Sequence, residues 1–144
     1  MTFHELSPAA LGINGADMKA AANTEYTSGI LDLRVSTELL VMVTVAETGS
    51  PTAGAAQVLF QPVDESDTNL GPQVALATAM STQVDGQTAK IAMGGGLAAT
   101  AVNATVGADV DKHMRPLGRG KLILEVTTAN NGTTSTASMR AWHK

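Results

Sequence analysis

Lys121-Leu-Ile-Leu-Glu-Val-Thr-Thr128, followed by Ala129-Asn-Asn-Gly-Thr133 and then Thr134-Ser-Thr-Ala-Ser-Met-Arg-Ala-Trp142, is the stretch whose reading decides the fold class. Both outer runs are strand-like, rich in β-branched and aliphatic residues and bounded by turn formers. Between them Asn131-Gly132 is the strongest hairpin signal in the chain, because both residue types tolerate the positive φ of a type I′ turn. The expectation is that the last two strands are antiparallel neighbours in one sheet.

The same texture continues upstream. Gly29-Ile-Leu-Asp-Leu-Arg-Val35 alternates Leu31, Leu33 and Val35 against Ile30 and Asp32, which suits a half-buried strand. Leu39 to Val45 is apolar on both faces, so it reads as a central strand. Ala56 to Val63 is another strand, and Pro62 marks its end or an edge because proline cannot donate to a ladder. Val74 to Met80, Thr88 to Met93 and Leu97 to Val106 supply more, divided by Asp64-Glu-Ser-Asp-Thr-Asn69, Asp85-Gly86, Gly94-Gly-Gly96 and Gly118 to Gly120. About eight short strands with no long alternating helices predict an all-β, jelly-roll-like antiparallel β-sandwich.

Residues 1–25 differ from the rest. Phe3, Leu6, Leu11, Ile13 and Met18 are isolated apolar residues among Ser7-Pro8, Gly12 and Asn14-Gly15, which breaks any period. The segment reads as an extended N-terminal arm that lies on its own domain or on a neighbour, with room for a short helix from Asp17 to Asn23. The domain proper is then 26–144, and a chain of this length suffices for one core.

Composition narrows the function. Alanine contributes 23 residues, threonine 18 and glycine 14, while aromatics are 3% and charged residues 15%. A typical soluble domain carries about 25% charge, so this surface is either polar by way of Thr, Asn and Gln or partly covered by a partner. A net charge of -4 argues against nucleic acid as the main partner, since phosphate contacts need clustered Lys and Arg. Without cysteine, disulfides, thiolate chemistry and Cys-based zinc sites are excluded. The start lacks the basic and apolar regions of a secretory signal, and the run Leu39 to Ala46 is far short of the ~20 residues that cross a bilayer. A soluble protein used inside a cell, with no membrane partner, is expected.

Motifs for chemistry are weak. His4, His113 and His143 have no metal-ligand spacing, and no cofactor is called for. Asp109-Val-Asp-Lys-His113 and the group Asp64, Glu65 and Asp67 could hold a cation, but each is equally explained as a solvated loop. Gly94-Gly-Gly96 and Gly118-Arg-Gly-Lys121 lack the context of a phosphate loop. No nucleophile elbow is present, so a catalytic site is not expected. The best interaction candidate is His113-Met-Arg-Pro-Leu-Gly-Arg-Gly-Lys121, where Arg115 and Arg119 could pair with acidic groups of a partner beside His113 and Met114.

The order of features is familiar. An N-terminal arm is followed by Ser28-Gly-Ile-Leu-Asp-Leu33, a strand Leu39 to Val45, then Val58-Leu-Phe-Gln61. Met114-Arg-Pro-Leu-Gly-Arg-Gly-Lys-Leu-Ile-Leu-Glu-Val126 comes next, and a Thr-rich turn leads to Met139-Arg-Ala-Trp142. Over about residues 26–144 this resembles the small cement or decoration proteins of tailed-phage capsids. The resemblance implies a homotrimer, made in the host cytoplasm, that sits on the outside of an icosahedral shell and bridges major capsid proteins. The arm, through Phe3, Leu6, Leu11, Ile13 and Met18, and the loop, through His113, Met114, Arg115 and Arg119, are the expected capsid or subunit contacts.

Two other classes compete. A carbohydrate- or receptor-binding β-sandwich of a phage fibre or spike would need exposed aromatic platforms, and only Trp142 and Tyr26 are on offer. A small hydrolase or isomerase on a jelly-roll scaffold would need clustered histidines.

Overall fold

A computed structural model of the chain describes residues 2–94, 97–107 and 118–144. Its elements in order are β1 (His4–Glu5), α1 (Pro8–Leu11), β2 (Ala16–Asp17), β3 (Glu25–Thr27), β4 (Leu31–Asp32), β5 (Glu38–Thr48), β6 (Ala55–Pro62), β7 (Val74–Ser81), β8 (Thr88–Gly94), β9 (Leu97–Val102), β10 (Thr105–Val106), β11 (Arg119–Thr128) and β12 (Thr134–His143). All pairings between these strands are antiparallel. They form two six-stranded sheets: β1-β12-β5-β8-β9 with β2 also on β12, and β10-β7-β6-β11-β3 with β4 also on β11.

The pairing is nested. β5 pairs with β12, β6 with β11, β7 with β10 and β8 with β9, as though one long double strand were wound around a barrel. That nesting gives the sandwich its jelly-roll-like character, in agreement with the expected class.

The core follows from strict alternation. On β5, Leu39, Val41, Val43 and Val45 are buried while Thr44 and Ala46 are exposed. Val58, Phe60, Leu122, Leu124 and Val126 face them from the other sheet, with Leu76, Met80, Ile91 and Met139 filling between. These aliphatic side chains are each worth roughly 1.5–3 kcal/mol on full burial. β5 is central, as its two apolar faces suggest.

The expected final hairpin is not formed. β11 is flanked by β6 on one side and by β3 and β4 on the other, while β12 lies in the opposite sheet between β5 and the arm strands. The Asn130-Asn131-Gly132 connection therefore crosses from sheet to sheet, and neither Asn131 nor Gly132 has positive φ. The asparagines serve instead as brackets. Asn130 is buried, its Nδ2 donating to Thr82 O at 2.8 Å, and Asn131 Oδ1 accepts from Thr52 N and Ala53 N.

Three further expectations are corrected. Leu97 to Val106 is two strands in different sheets, divided at Asn103 with φ 61°. Val35 does not share the buried face of Leu31 and Leu33; a turn with Ser36 N donating to Leu33 O ends the alternation and leaves Val35 89% exposed. No helix covers Asp17 to Asn23. Asp17 Oδ1 accepts from Lys19 N in a tight turn, and the helical turn α1 lies earlier.

The arm is sewn to the sandwich. It starts beside the C-terminus with His4 opposite His143, runs antiparallel to β12 to place Ala16 opposite Ala137, and crosses between the sheets near Met18. It then returns along β11, from Glu25 opposite Glu125 to Asp32 opposite Arg119. Strand edges that would otherwise offer unpaired backbone groups are thereby covered. The sandwich has two ends: a bracketed end with loops 49–54, 82–87 and 129–133, and a terminal end that gathers both chain termini with loops 33–37 and 63–73.

Candidate functional site

Among the described residues, no group of three or more His, Cys, Asp or Glu is placed to share a metal ion. Asp109 to His113, one of the two acidic candidates, lies outside the described residues, as do Gly95 and Gly96. The other, Asp64 to Asp67, is consumed by its own turn. Asp64 Oδ1 accepts from Ser66 N and Thr68 N, Glu65 pairs with Arg34 at 2.8 Å, and Asp67 pairs with Arg119 at 2.8 Å.

One nucleophile–base contact is present: Ser36 Oγ lies 2.7 Å from His143 Nδ1. Ser36 is buried at the turn that ends β4, and this contact ties loop 33–37 to the last strand.

The more distinctive feature is the outer face of the first sheet. Because Leu39, Val41 and Val43 point inward, Leu40 and Met42 point out, and the register lays them in cross-strand rows. One row runs Glu5, Trp142, Leu40, Ala92, Thr100. The next runs Arg140, Met42, Lys90, Val102, with Val102 58% exposed. Side chains this close across an antiparallel pair make one continuous surface. At its terminal end the surface opens into a groove of about 530 Å³ lined by Phe3, Leu39, Leu40, Ala92, Met93 and Thr100 among others.

Charges frame this surface. Lys144 Nζ sits 5.5 Å from the centroid of the Phe3 ring and 3.6 Å from Glu38 Oε2. Arg140 lies 4.9 Å from the Trp142 ring centroid and pairs with Glu5 at 2.7 Å, and that hydrogen bond holds the Glu5 carboxyl below its usual range. The opposite sheet's outer face is different in kind. Gln57 and Glu125 are hydrogen-bonded at 2.7 Å, Gln61 is buried, and Gln73 bonds Glu25, so paired polar side chains share that face with the buried Leu59 and Ile123.

The expected contact residues separate into three groups. Leu11, Ile13 and Met18 are buried in the chain's own core and Leu6 packs against it, so these four anchor the arm to its own sandwich. Their apolar isolation in the sequence marked burial, but not whose surface buries them. Arg119 is engaged within the chain, donating to Asp64 O at 2.7 Å as well as pairing with Asp67, with only 20% of its side chain exposed. His113, Met114 and Arg115 lie outside the described residues. Phe3, 41% exposed at the mouth of the groove, remains at the surface.

Sequence reasoning missed Trp142, Leu40, Met42 and Ala92 as one patch. The alternation of Leu39 to Val45 was visible, but only the register of β5 with β12 and β8 makes the outward half a surface. The aromatics also bear on sugar binding. One face of Trp142 is occupied by Arg140, and Tyr26 is fixed by its hydroxyl donating to Asp17 O at 2.7 Å. Neither is a free platform.

No protein-family model matches the sequence, and no curated protein matches it. Among solved structures that share the fold are two viral ones. A chain from the structure of infectious bursal disease virus, Gx strain, is similar with a TM-score of 0.52 at 10% identity, over 99% of this chain and 32% of that one. A chain from T=1 particles derived from infectious bursal virus gives a TM-score of 0.50 at 10% identity, over 99% and 31%. The chain thus spans about a third of the length of the viral chains it resembles.

Proposed function

We propose that the chain is a structural protein of a virion: a capsid cement subunit that binds the outside of an assembled shell and bridges neighbouring major capsid proteins as a homotrimer. The observation that carries this reading is the asymmetry of the two outer faces on a sandwich whose fold is similar to viral particle chains. One face carries hydrogen-bonded polar pairs; the other presents Trp142, Leu40, Met42 and Ala92 in register, continuous with the Phe3 groove. An apolar surface with a charged rim is the usual anatomy of a protein contact.

Function in this reading is mechanical. A clamp that binds only the assembled lattice stabilises that state by mass action, and three copies joined in a trimer convert weak contacts into avidity. The arm, locked to both sheets, gives the clamp a rigid body, while Phe3 and the segment 113–115 reach the partner. Localisation on the capsid exterior, with synthesis in the host cytoplasm, belongs to the same proposal.

The test is sedimentation equilibrium of the purified chain, followed by co-sedimentation with assembled shells and with unassembled capsid subunits. A trimer that saturates shells but ignores free subunits is expected, and Leu40→Ser with Phe3→Ser should reduce binding at least tenfold. A monomer that leaves shells unbound would overturn the reading.

A further inference from the structure

At the bracketed end the alternation of β5 places a charged residue where the core face continues. After Val41, Val43 and Val45 the next inward position is Glu47, which is only 7% exposed. Both carboxylate oxygens are buried, and neither receives a hydrogen bond from a described group. Burial of an ionised carboxylate without a compensating partner is among the most costly arrangements in a protein, so such a group calls for a counter-charge.

The surroundings offer oxygens rather than donors. Asn130 cannot turn its amide toward Glu47, because Nδ2 donates to Thr82 O at 2.8 Å while Oδ1 accepts from Gly132 N at 2.7 Å. Ser135, the cross-strand partner of Glu47, directs its hydroxyl to Thr82 O. The backbone N–H of Glu47 is taken by Asp85 Oδ1 at 3.0 Å, which adds a second carboxylate on the neighbouring turn. Lys19 Nζ donates to the Gly132 carbonyl and makes no ion pair with Glu47.

Gly132 defines the space. A Cβ there would run into Glu47 Oε1 and lie 3.0 Å from both Asn130 Oδ1 and Thr48 O. Three oxygens, two from the end of β5 and one from the 129–133 crossing, therefore converge where only glycine leaves room.

We propose that this cradle binds one calcium ion, held by the Glu47 carboxylate, Asn130 Oδ1 and the Thr48 carbonyl, with water completing the shell. The donors are all hard oxygens, a carboxylate, a side-chain amide oxygen and a backbone carbonyl, the mixture that suits calcium's flexible six-to-eight coordination better than the rigid octahedron of magnesium. Bound there, the ion neutralises Glu47 and ties β5 to the 129–133 crossing, so it fastens the two sheets together at this end.

The experiment is calorimetric titration of the intact chain with calcium chloride and, separately, magnesium chloride, alongside thermal melts in calcium and in EDTA. One calcium per chain is expected, with Tm raised by about 5 °C or more at about 5 mM calcium and little response to magnesium. Glu47→Gln keeps the side chain's shape and should abolish the calcium response, whereas Glu38→Gln at the other end should retain it. Should Glu47→Gln fail to fold, the titration of the native chain decides. An absence of calcium binding overturns the proposal. So does calcium binding that Glu47→Gln leaves intact. A Tm that ignores calcium but falls in Lys19→Met also overturns it, and makes the Lys19 ammonium the counter-charge.

Discussion

At the end of the sandwich where β6, β8 and β12 begin, the loops are held by buried side-chain hydrogen bonds; at the end where the chain starts and stops, they are held by exposed ion pairs and leave an apolar groove. Asn130, Thr82 and Ser135 are joined by buried hydrogen bonds at the first end, while the bonds that Asn131 accepts from Thr52 N and Ala53 N are exposed. Arg34 with Asp32 and Glu65, Lys144 with Glu38, and Arg140 with Glu5 do the corresponding work at the second. Buried hydrogen bonds are strongly destabilising when one partner is removed, whereas exposed ion pairs are worth little. The difference assigns rigidity to one end and leaves the other adjustable, which is where a surface that must adapt to a partner belongs.

The comparison breaks first at Asn130. Asn130→Ala removes the shorter of two hydrogen bonds to Thr82 O and the acceptor of Gly132 N, and should lower stability by about 2–3 kcal/mol in urea titrations. Because the lost groups are neutral, the deficit should be the same in low and high salt. A loss under about 1 kcal/mol would mean that the bracketed end is no stiffer than the other.

Arg119 sits at the terminal end yet is mostly covered, so it tests whether burial or location sets the effect. Arg119→Ala removes a hydrogen bond to Asp64 O and the ion pair with Asp67. The expected cost is about 1–2 kcal/mol, measured in the same way. Phe3→Ser, at the groove mouth, should cost under about 1 kcal/mol because the ring is already half in water. If Phe3→Ser proved as damaging as Asn130→Ala, the groove would be part of the core rather than a surface.

Much of this was legible in the residues. Leu39 to Val45, Val74 to Met80 and Ser135 to Trp142 were readable as strands from their apolar and β-branched content and the turn formers that divide them. The fold class followed. What local reading could not supply was partnership. Asn131-Gly132 carries the chemistry of a tight turn, yet β6 and β5 outcompete the hairpin by offering β11 and β12 more apolar partners in two sheets. Leu11, Ile13 and Met18 announced burial without saying against what. Nothing in the local sequence set Glu47 apart, because the residues it meets, Gly132 and Ser135, are distant in sequence. The candidate surface was invisible for the same reason, being the outward half of three registered strands.

The smallest effect probes the adjustable end by pH. Hydrogen bonds from Arg34 hold the Asp32 carboxyl at about 2, below its ordinary 3.8. A carboxyl depressed in the folded state stabilises it fully above the unfolded value, and loses that contribution as pH falls through the folded one. Melting temperatures of the native chain and of Asp32→Asn should therefore differ by a small constant amount above about pH 4 and converge between about pH 4 and 2. Half of each side chain is in water, so roughly 0.5 M salt should shrink the gap. The Asn130→Ala deficit, by contrast, should persist across the same salt and pH range. A gap in Asp32→Asn that survives both acid and salt would show that loop 33–37 is fixed by Ser36 on His143 rather than by its charges, and the contrast between the two ends would then lie in their solvent exposure alone.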